Sequence, residues 1–126
     1  MIDIYEFEER ILIEASFSPW PLRNLTNEIS LSNKNLSKFE VYQTTCKIIG
    51  SLYVQGLIIP VKSFYSEVEE GTFKHEKTVE LTNIEMEILL KQPEQWQQLN
   101  IESFIDPIEL KITEIGRAKY EEEIAF

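Results

Sequence analysis

The side chains that most often perform catalysis or bind metals are scarce in this sequence. His75 is the only histidine and Cys46 the only cysteine, so no metal site or catalytic pair that needs two histidines can form within one chain. The run Glu121-Glu122-Glu123 is typical of a solvated helix face rather than of an acid–base pair. Phosphate-binding glycine loops, zinc-protease motifs and serine-hydrolase motifs do not occur. We therefore expect no enzyme, no metal and no cofactor.

The charge of the chain is strongly acidic but unevenly distributed. The net charge is −10, and an acidic surface repels nucleic acid. Residues 20–65 nevertheless hold five basic side chains against two acidic ones, a balance of +3. The segments on either side carry balances of −4 and −9. A basic stretch within an acidic protein is a candidate for contact with an anionic partner.

Length and composition favour one soluble domain. The 126 residues are enough for a single hydrophobic core, and 43% of them are apolar. One cysteine fits a reducing compartment, and the acidic beginning of the chain does not resemble a secretory signal. The sequence has no apolar run long enough for a membrane span. We expect a cytoplasmic protein with no membrane association.

Three capping boxes predict where helices begin. Asp3, Ser37 and Thr82 each stand three residues before a glutamate, with apolar residues placed to form a hydrophobic staple. The cap oxygen accepts from the N–H three residues on, and the glutamate accepts from the cap's own N–H. The boxes therefore predict helix starts near residues 4, 38 and 83.

Other signals predict where the elements end. The first helix should stop before Ser18-Pro19, a short helix should span Asn24 to Leu31, and Gly56 should end the helix that begins at Lys38. The β-branched runs Leu57–Val68 and Phe73–Leu81 predict a hairpin that turns at residues 69–72.

A strand–Thr–helix pattern occurs twice, at Thr82 and Thr113. In each case a short alternating apolar run leads into a threonine that can cap the next helix. We expect the isoleucines two residues later, Ile84 and Ile115, to pack toward the core. The second copy predicts a strand over residues 108–112 and a last helix to about Ile124.

The order of these elements resembles a winged helix-turn-helix domain of the bacterial regulator type. The segment Ile48–Ile58 resembles the end of a recognition helix that runs into a first wing strand, and Ile112–Arg117 resembles the entry to the last helix of such regulators. The resemblance implies an α+β fold with a three-helix core, a β-hairpin wing and additional C-terminal helices. It treats residues 1–126 as one domain, with a core of 4–82 and 108–124 and an elaboration over 83–107.

The resemblance also implies a double-stranded DNA interface, with the helix from Lys38 in the major groove and the wing on the backbone or in the minor groove. The turn before that helix and the polar positions on its outward face would contact DNA, together with lysines of the wing. These residues are Asn33, Lys34, Asn35, Ser37, Lys38, Gln43, Thr44, Lys47, Ser51, Lys62, Lys74 and Lys77. Lysines would contact phosphates, and Gln43 and Asn35 would read bases.

Two functions remain open at the level of sequence. The basic stretch favours a DNA-binding transcriptional regulator. The overall acidity and the glutamates of the wing tip favour a winged-helix module that binds a protein partner or serves as a scaffold, without binding DNA. The apolar end of the chain, Ile124-Ala125-Phe126, predicts a homodimer. Cys46 is expected to be a core or boundary residue rather than a redox sensor, and Trp20 and Trp96 are either core residues or partner contacts.

Overall fold

The computed structural model describes residues 4–99 and 108–124. Five α-helices occur in these ranges: α1 (Ile4–Phe17), α2 (Leu22–Ser32), α3 (Lys38–Val54), α4 (Asn83–Lys91) and α5 (Glu114–Lys119). A 3-10 helix (Pro93–Leu99) follows α4, and a π-helical turn (Tyr120–Ile124) follows α5. Within the described ranges, no helix is both long enough and apolar enough to cross a bilayer.

Two of the three predicted capping boxes are confirmed. The Ser37 hydroxyl accepts from the Glu40 N–H (3.2 Å), and the Glu40 carboxylate accepts from the Ser37 N–H (2.9 Å). Thr82 and Glu85 make the same reciprocal pair at the start of α4, at 3.1 and 2.9 Å. The box at Asp3 lies outside the described residues. Local capping chemistry thus sets where α3 and α4 begin.

The strands form one antiparallel sheet. They are β1 (Trp20–Pro21), β2 (Ile58–Glu69), β3 (Thr72–Glu80) and β4 (Ile108–Ile112), in the order β1-β4-β2-β3. Between β2 and β3, Gly71 has a φ of 80°, in the left-handed region that favours glycine at such a turn. The predicted hairpin and the predicted strand over 108–112 are confirmed, and the overall fold is α+β.

One hydrophobic core joins the helices to the sheet and includes part of the expected elaboration. Trp96 is fully buried, stacks on Tyr42 with ring centroids 4.9 Å apart, and donates from Nε1 to the Ile88 carbonyl at 3.1 Å. Trp20 is buried as well, and its strand pairs with β4. Both tryptophans therefore belong to the core. The glutamine-rich stretch within this elaboration forms the 3-10 helix that carries Trp96.

The two sequence segments that carry the resemblance meet at one corner of the fold. The Thr113 N–H donates to the Leu57 carbonyl (3.1 Å). The Thr113 hydroxyl donates to the Gly56 carbonyl and accepts from the Gly116 N–H. Gly56 has a φ of 76°, which lets the chain turn from α3 into β2. The threonine thus caps α5 and ties it to the α3–β2 corner.

The expected packing of the isoleucines after each capping threonine is wrong. Ile84 is 74% exposed and Ile115 is 63% exposed. In α4 the buried side chains, Ile88 and Leu89, come one turn later. In α5 the residue that faces the Leu57 carbonyl is Gly116, so the preceding isoleucine projects into solvent.

Candidate nucleic-acid interface

The turn between α2 and α3 holds the first three candidate residues. Asn33 ends α2, and both its backbone N–H and its side-chain Nδ2 donate to the Ile29 carbonyl, at 3.1 and 3.2 Å. Lys34 and Asn35 are exposed at the tip of the turn. Asn33 therefore shapes the turn, and the other two side chains present a cation and an amide to solvent.

The start of α3 already holds a carboxylate. A helix N-terminus attracts anions because its first N–H groups lack partners within the helix. Here Glu40 fills that role, and the pKa of its carboxyl is lowered chiefly by the hydrogen bond from the Ser37 N–H. Both the hydroxyl and the N–H of Ser37 are bonded to Glu40 in the cap. An approaching phosphate would meet Glu40 as well as Lys38, whose ammonium lies 5.8 Å from the Tyr42 ring centroid.

The outward face of α3 is a polar stripe. Gln43 and Lys47 are exposed one turn apart, and Thr44 and Ser51 are half-buried beside them. Ser51 accepts from the Gln55 side chain at both its hydroxyl and its carbonyl, each at 3.1 Å. The inward positions of the helix enter the core; they are Val41, Tyr42, Thr45, Cys46, Ile48, Ile49 and Leu52. The predicted division of α3 into a core face and a solvent face is confirmed.

The stripe carries little net charge. Lys38 and Lys47 are nine residues apart, which is about two and a half turns at about 3.6 residues per turn, so they lie on opposite sides of α3. Glu40 and Lys47 are seven residues apart and share one side of the helix, and Val54, at the end of that side, is 87% exposed. The face is therefore polar and mixed rather than a continuous positive band.

Three lysines lie together on one face of the β2–β3 hairpin. The register pairs Lys62 with Val79, Phe64 with Lys77, and Ser66 with Lys74. Lys62, Phe64 and Ser66 alternate along β2 and point to one side, and a register shift after Phe64 adds a residue to β3, so Lys77 and Lys74 lie on that side with Lys62. The first two ammonium groups approach the ring of Phe64, at 5.6 and 5.2 Å from its centroid.

Acidic groups surround these lysines. Lys62 pairs with Glu85 of α4 at 3.3 Å. The pKa of the Glu85 carboxyl is lowered, chiefly by the hydrogen bond from the Thr82 N–H. Lys62 lowers this pKa further. The hairpin as a whole carries three lysines against five glutamates, which are Glu67, Glu69, Glu70, Glu76 and Glu80. Its tip is acidic, as the sequence indicates.

The twelve candidate residues thus form two groups. Nine of them lie in the turn and on α3, and the hairpin holds the other three. Phe64 between the lysines and Glu85 as the partner of Lys62 were not predicted from the sequence. Because Lys62 and Phe64 are two positions apart in a strand, the sequence could have predicted that they share a face. The ion pair with Glu85 depends on how α4 packs beside the hairpin.

The geometry of the chain is the basis for any statement about its function. A scan of protein-family models, a search of curated proteins and a search of solved structures each found no match.

Proposed function

We propose that this chain is a winged-helix protein that binds duplex DNA, with α3 as the reading helix and the β2–β3 hairpin as the wing. The observation that carries the proposal is the solvent-facing stripe of Gln43, Thr44, Lys47 and Ser51 on the second helix of a helix–turn–helix. The order of the helices and the hairpin, α1-α2-α3-β2-β3, supports it, because it is the order that the resemblance implies. The proposal includes no catalytic step.

The turn, the start of α3 and the stripe each supply groups with a role in this proposal. Lys34, Lys38 and Lys47 neutralise phosphates and position the helix, and they supply no base preference. Gln43 carries an amide that can make two hydrogen bonds to adenine in the major groove. The acidic hairpin tip and the net charge of −10 keep non-specific affinity low, so binding depends on the base contacts. We further propose that the protein acts as a homodimer on a two-fold symmetric site.

A salt series with matched variants tests the proposal. Each phosphate contact adds about −0.9 to the slope of log K against log salt. Lys47→Ala should therefore flatten the slope by about one unit and weaken all duplexes similarly. Lys111→Ala is the control, since Lys111 is an exposed lysine on β4, away from α3. Gln43→Ala should leave the slope unchanged and lose about 1–3 kcal/mol of base discrimination. Equal slopes for the Lys47 and Lys111 variants would contradict the proposal.

A second candidate function is recognition of a protein partner. The nearly neutral stripe, the exposed Val54 at its end and the acidic hairpin tip favour this alternative. It predicts that reversing the charge of Lys34, Lys38 and Lys47 leaves the cellular role of the protein intact, whereas Val54→Asp abolishes it. The DNA proposal predicts that the triple charge reversal abolishes that role.

A further inference from the structure

A surface groove lies between α1 and α2. Its volume is about 460 Å³, within the range of about 300–1,000 Å³ that is typical of ligand sites. Its walls come from residues 6–13 of α1, about two turns at about 3.6 residues per turn, and from residues 28–32 of α2. The groove is therefore long enough to receive a short segment of another molecule.

The groove has an apolar wall that is partly exposed to water. On α1, Phe7 is buried and Ile13 is half-buried, whereas Leu31 of α2 is 70% exposed. Leu31 comes two residues after the buried Ile29, so it lies off the stripe of α2 that packs into the core. A single exposed leucine is ordinary on a protein surface, but one that lines a groove beside two other apolar side chains can hold an apolar anchor.

The charge around this wall is negative. Glu6, Glu9 and Glu28 line the groove, and Arg10 is the one base among its described lining residues. The Arg10 guanidinium lies 3.1 Å from the Glu14 carboxylate and 3.0 Å from the Glu28 carboxylate, so acidic groups already compensate its charge. The four carboxylates and one guanidinium carry a balance of −3. An apolar segment that also carries cations is the complement of this surface.

The negative charge limits what can occupy the groove. Duplex DNA is disfavoured, because its phosphates would meet the carboxylates. Two copies of the chain docked groove to groove would place like charges opposite each other. A head-to-tail contact with a different face of a second copy would not form a two-fold dimer. The occupant that fits the groove is therefore a different, basic molecule.

We propose that the groove between α1 and α2 binds a basic amphipathic segment of a protein partner. An apolar side chain of that segment packs against Leu31 and Ile13, and its lysine or arginine side chains pair with Glu9 and Glu28. The apolar contact supplies most of the affinity, because an exposed ion pair contributes little. The carboxylates select a basic partner over an acidic one and speed its approach.

This proposal does not rest on DNA binding. The described residues that line the groove include none of the twelve candidate DNA contacts. Leu31→Ala should therefore bind DNA like the wild-type protein while it binds the partner segment more weakly. Failure of one proposal can thus be told apart from failure of the other.

A pair of designed peptides tests the groove. The probe is a fluorescein-labelled amphipathic helix of leucine and lysine, and its counterpart has glutamate in place of every lysine. At a salt concentration of about 0.15 M, the leucine–lysine peptide should bind and shift the NMR signals of the backbone amides of residues 6–13 and 28–32. The leucine–glutamate peptide should cause no shifts in these amides.

Single substitutions separate the apolar contribution from the charged one. Leu31→Ala should weaken binding of the leucine–lysine peptide about tenfold and leave its salt dependence unchanged. Glu9→Gln should weaken binding about threefold and reduce the salt dependence. Ile84→Ala and Glu87→Gln are the matched controls on α4, since both residues are exposed and neither lines the groove; they should bind like the wild type. Leu31 and Glu9 are exposed as well, so no variant removes a core residue.

Four results would overturn the proposal. The first is absence of binding by the leucine–lysine peptide, and the second is equal binding by the leucine–glutamate peptide. The third is an equal loss of affinity in the groove variants and the α4 variants, which would mean that the peptide is attracted to the acidic surface as a whole. The fourth is a dimer that Leu31→Ala converts to a monomer in light scattering, which would assign the groove to a second copy of the chain.

Discussion

The contact between α5 and the Leu57 carbonyl predicts opposite outcomes for one substitution at two glycines. A Cβ atom at Gly116 would lie 2.0 Å from the Leu57 carbonyl oxygen and 2.9 Å from a carbon of Ile112. The first of these atoms is backbone, so α5 must move to relieve the overlap. A Cβ atom at Gly50, within α3, would meet nothing within 4 Å.

The expected magnitudes follow from these surroundings. Overpacking at Gly116 costs about 1–3 kcal/mol. Displacing α5 also weakens the bond from the Thr113 N–H to Leu57, which contributes about 1 kcal/mol. The higher helix propensity of alanine offsets about 1 kcal/mol of these two costs. Gly116→Ala should thus lower the free energy of unfolding by about 1–3 kcal/mol, whereas Gly50→Ala should raise it by up to about 1 kcal/mol.

Urea unfolding followed by far-ultraviolet circular dichroism measures both variants against the wild type. The m-value should stay constant if only stability changes. A Gly116→Ala variant as stable as the wild type would refute the reasoning, because it would mean that α5 does not lie against the α3–β2 corner. Destabilisation by Gly50→Ala would refute the assignment of open space around that glycine.

Three further predictions concern titration, thiol reactivity and assembly. The pKa of Glu85 is lowered in the folded state, mainly by the Thr82 N–H, so its stabilisation is present above the unfolded pKa of about 4.3 and is lost as pH falls through the lower folded value. In acid unfolding, Glu85→Gln should flatten the loss of stability below about pH 4.5, whereas Glu87→Gln on the same helix should not. Burial raises the pKa of the Cys46 thiol to about 12, so iodoacetamide at pH 8 should label it only in denaturant; rapid labelling of the native protein would contradict this. Light scattering coupled to size exclusion at micromolar concentration should give the mass of two chains, and a mass of one chain rules out the dimer.

The features predicted correctly from sequence are those set by local chemistry. The Ser37 and Thr82 boxes and the turn at Gly71 each depend on residues within four positions of one another. The solvent face of α3, with Gln43 and Lys47 exposed, follows from helical periodicity alone.

The features that were missed depend on distant partners. Strand β1 has two residues and exists because Trp20 pairs with Leu110, ninety positions away. Ile115 was expected in the core, but the close approach of Gly116 to Leu57 turns it outward.

In the candidate surface, too, the features that were missed depend on contacts that the sequence does not specify. Its residues could be named from the sequence. The effect of two acidic neighbours on its charge could not be predicted. Glu40 was foreseen as a capping residue, but its effect on anion binding at the start of α3 was not. The ion pair between Lys62 and Glu85 requires α4 to pack beside the hairpin, and no local pattern specifies that packing.

Selection from a randomised pool of duplex DNA tests the central claim, that α3 reads base sequence, most directly. The wild-type protein should enrich a defined site, and Gln43→Ala should enrich a site with relaxed preference at one base pair. The variant with Lys34, Lys38 and Lys47 all changed to Glu should enrich none. A wild-type selection that yields no site, together with an intact cellular role for the triple variant, would contradict DNA binding and favour the protein-partner function.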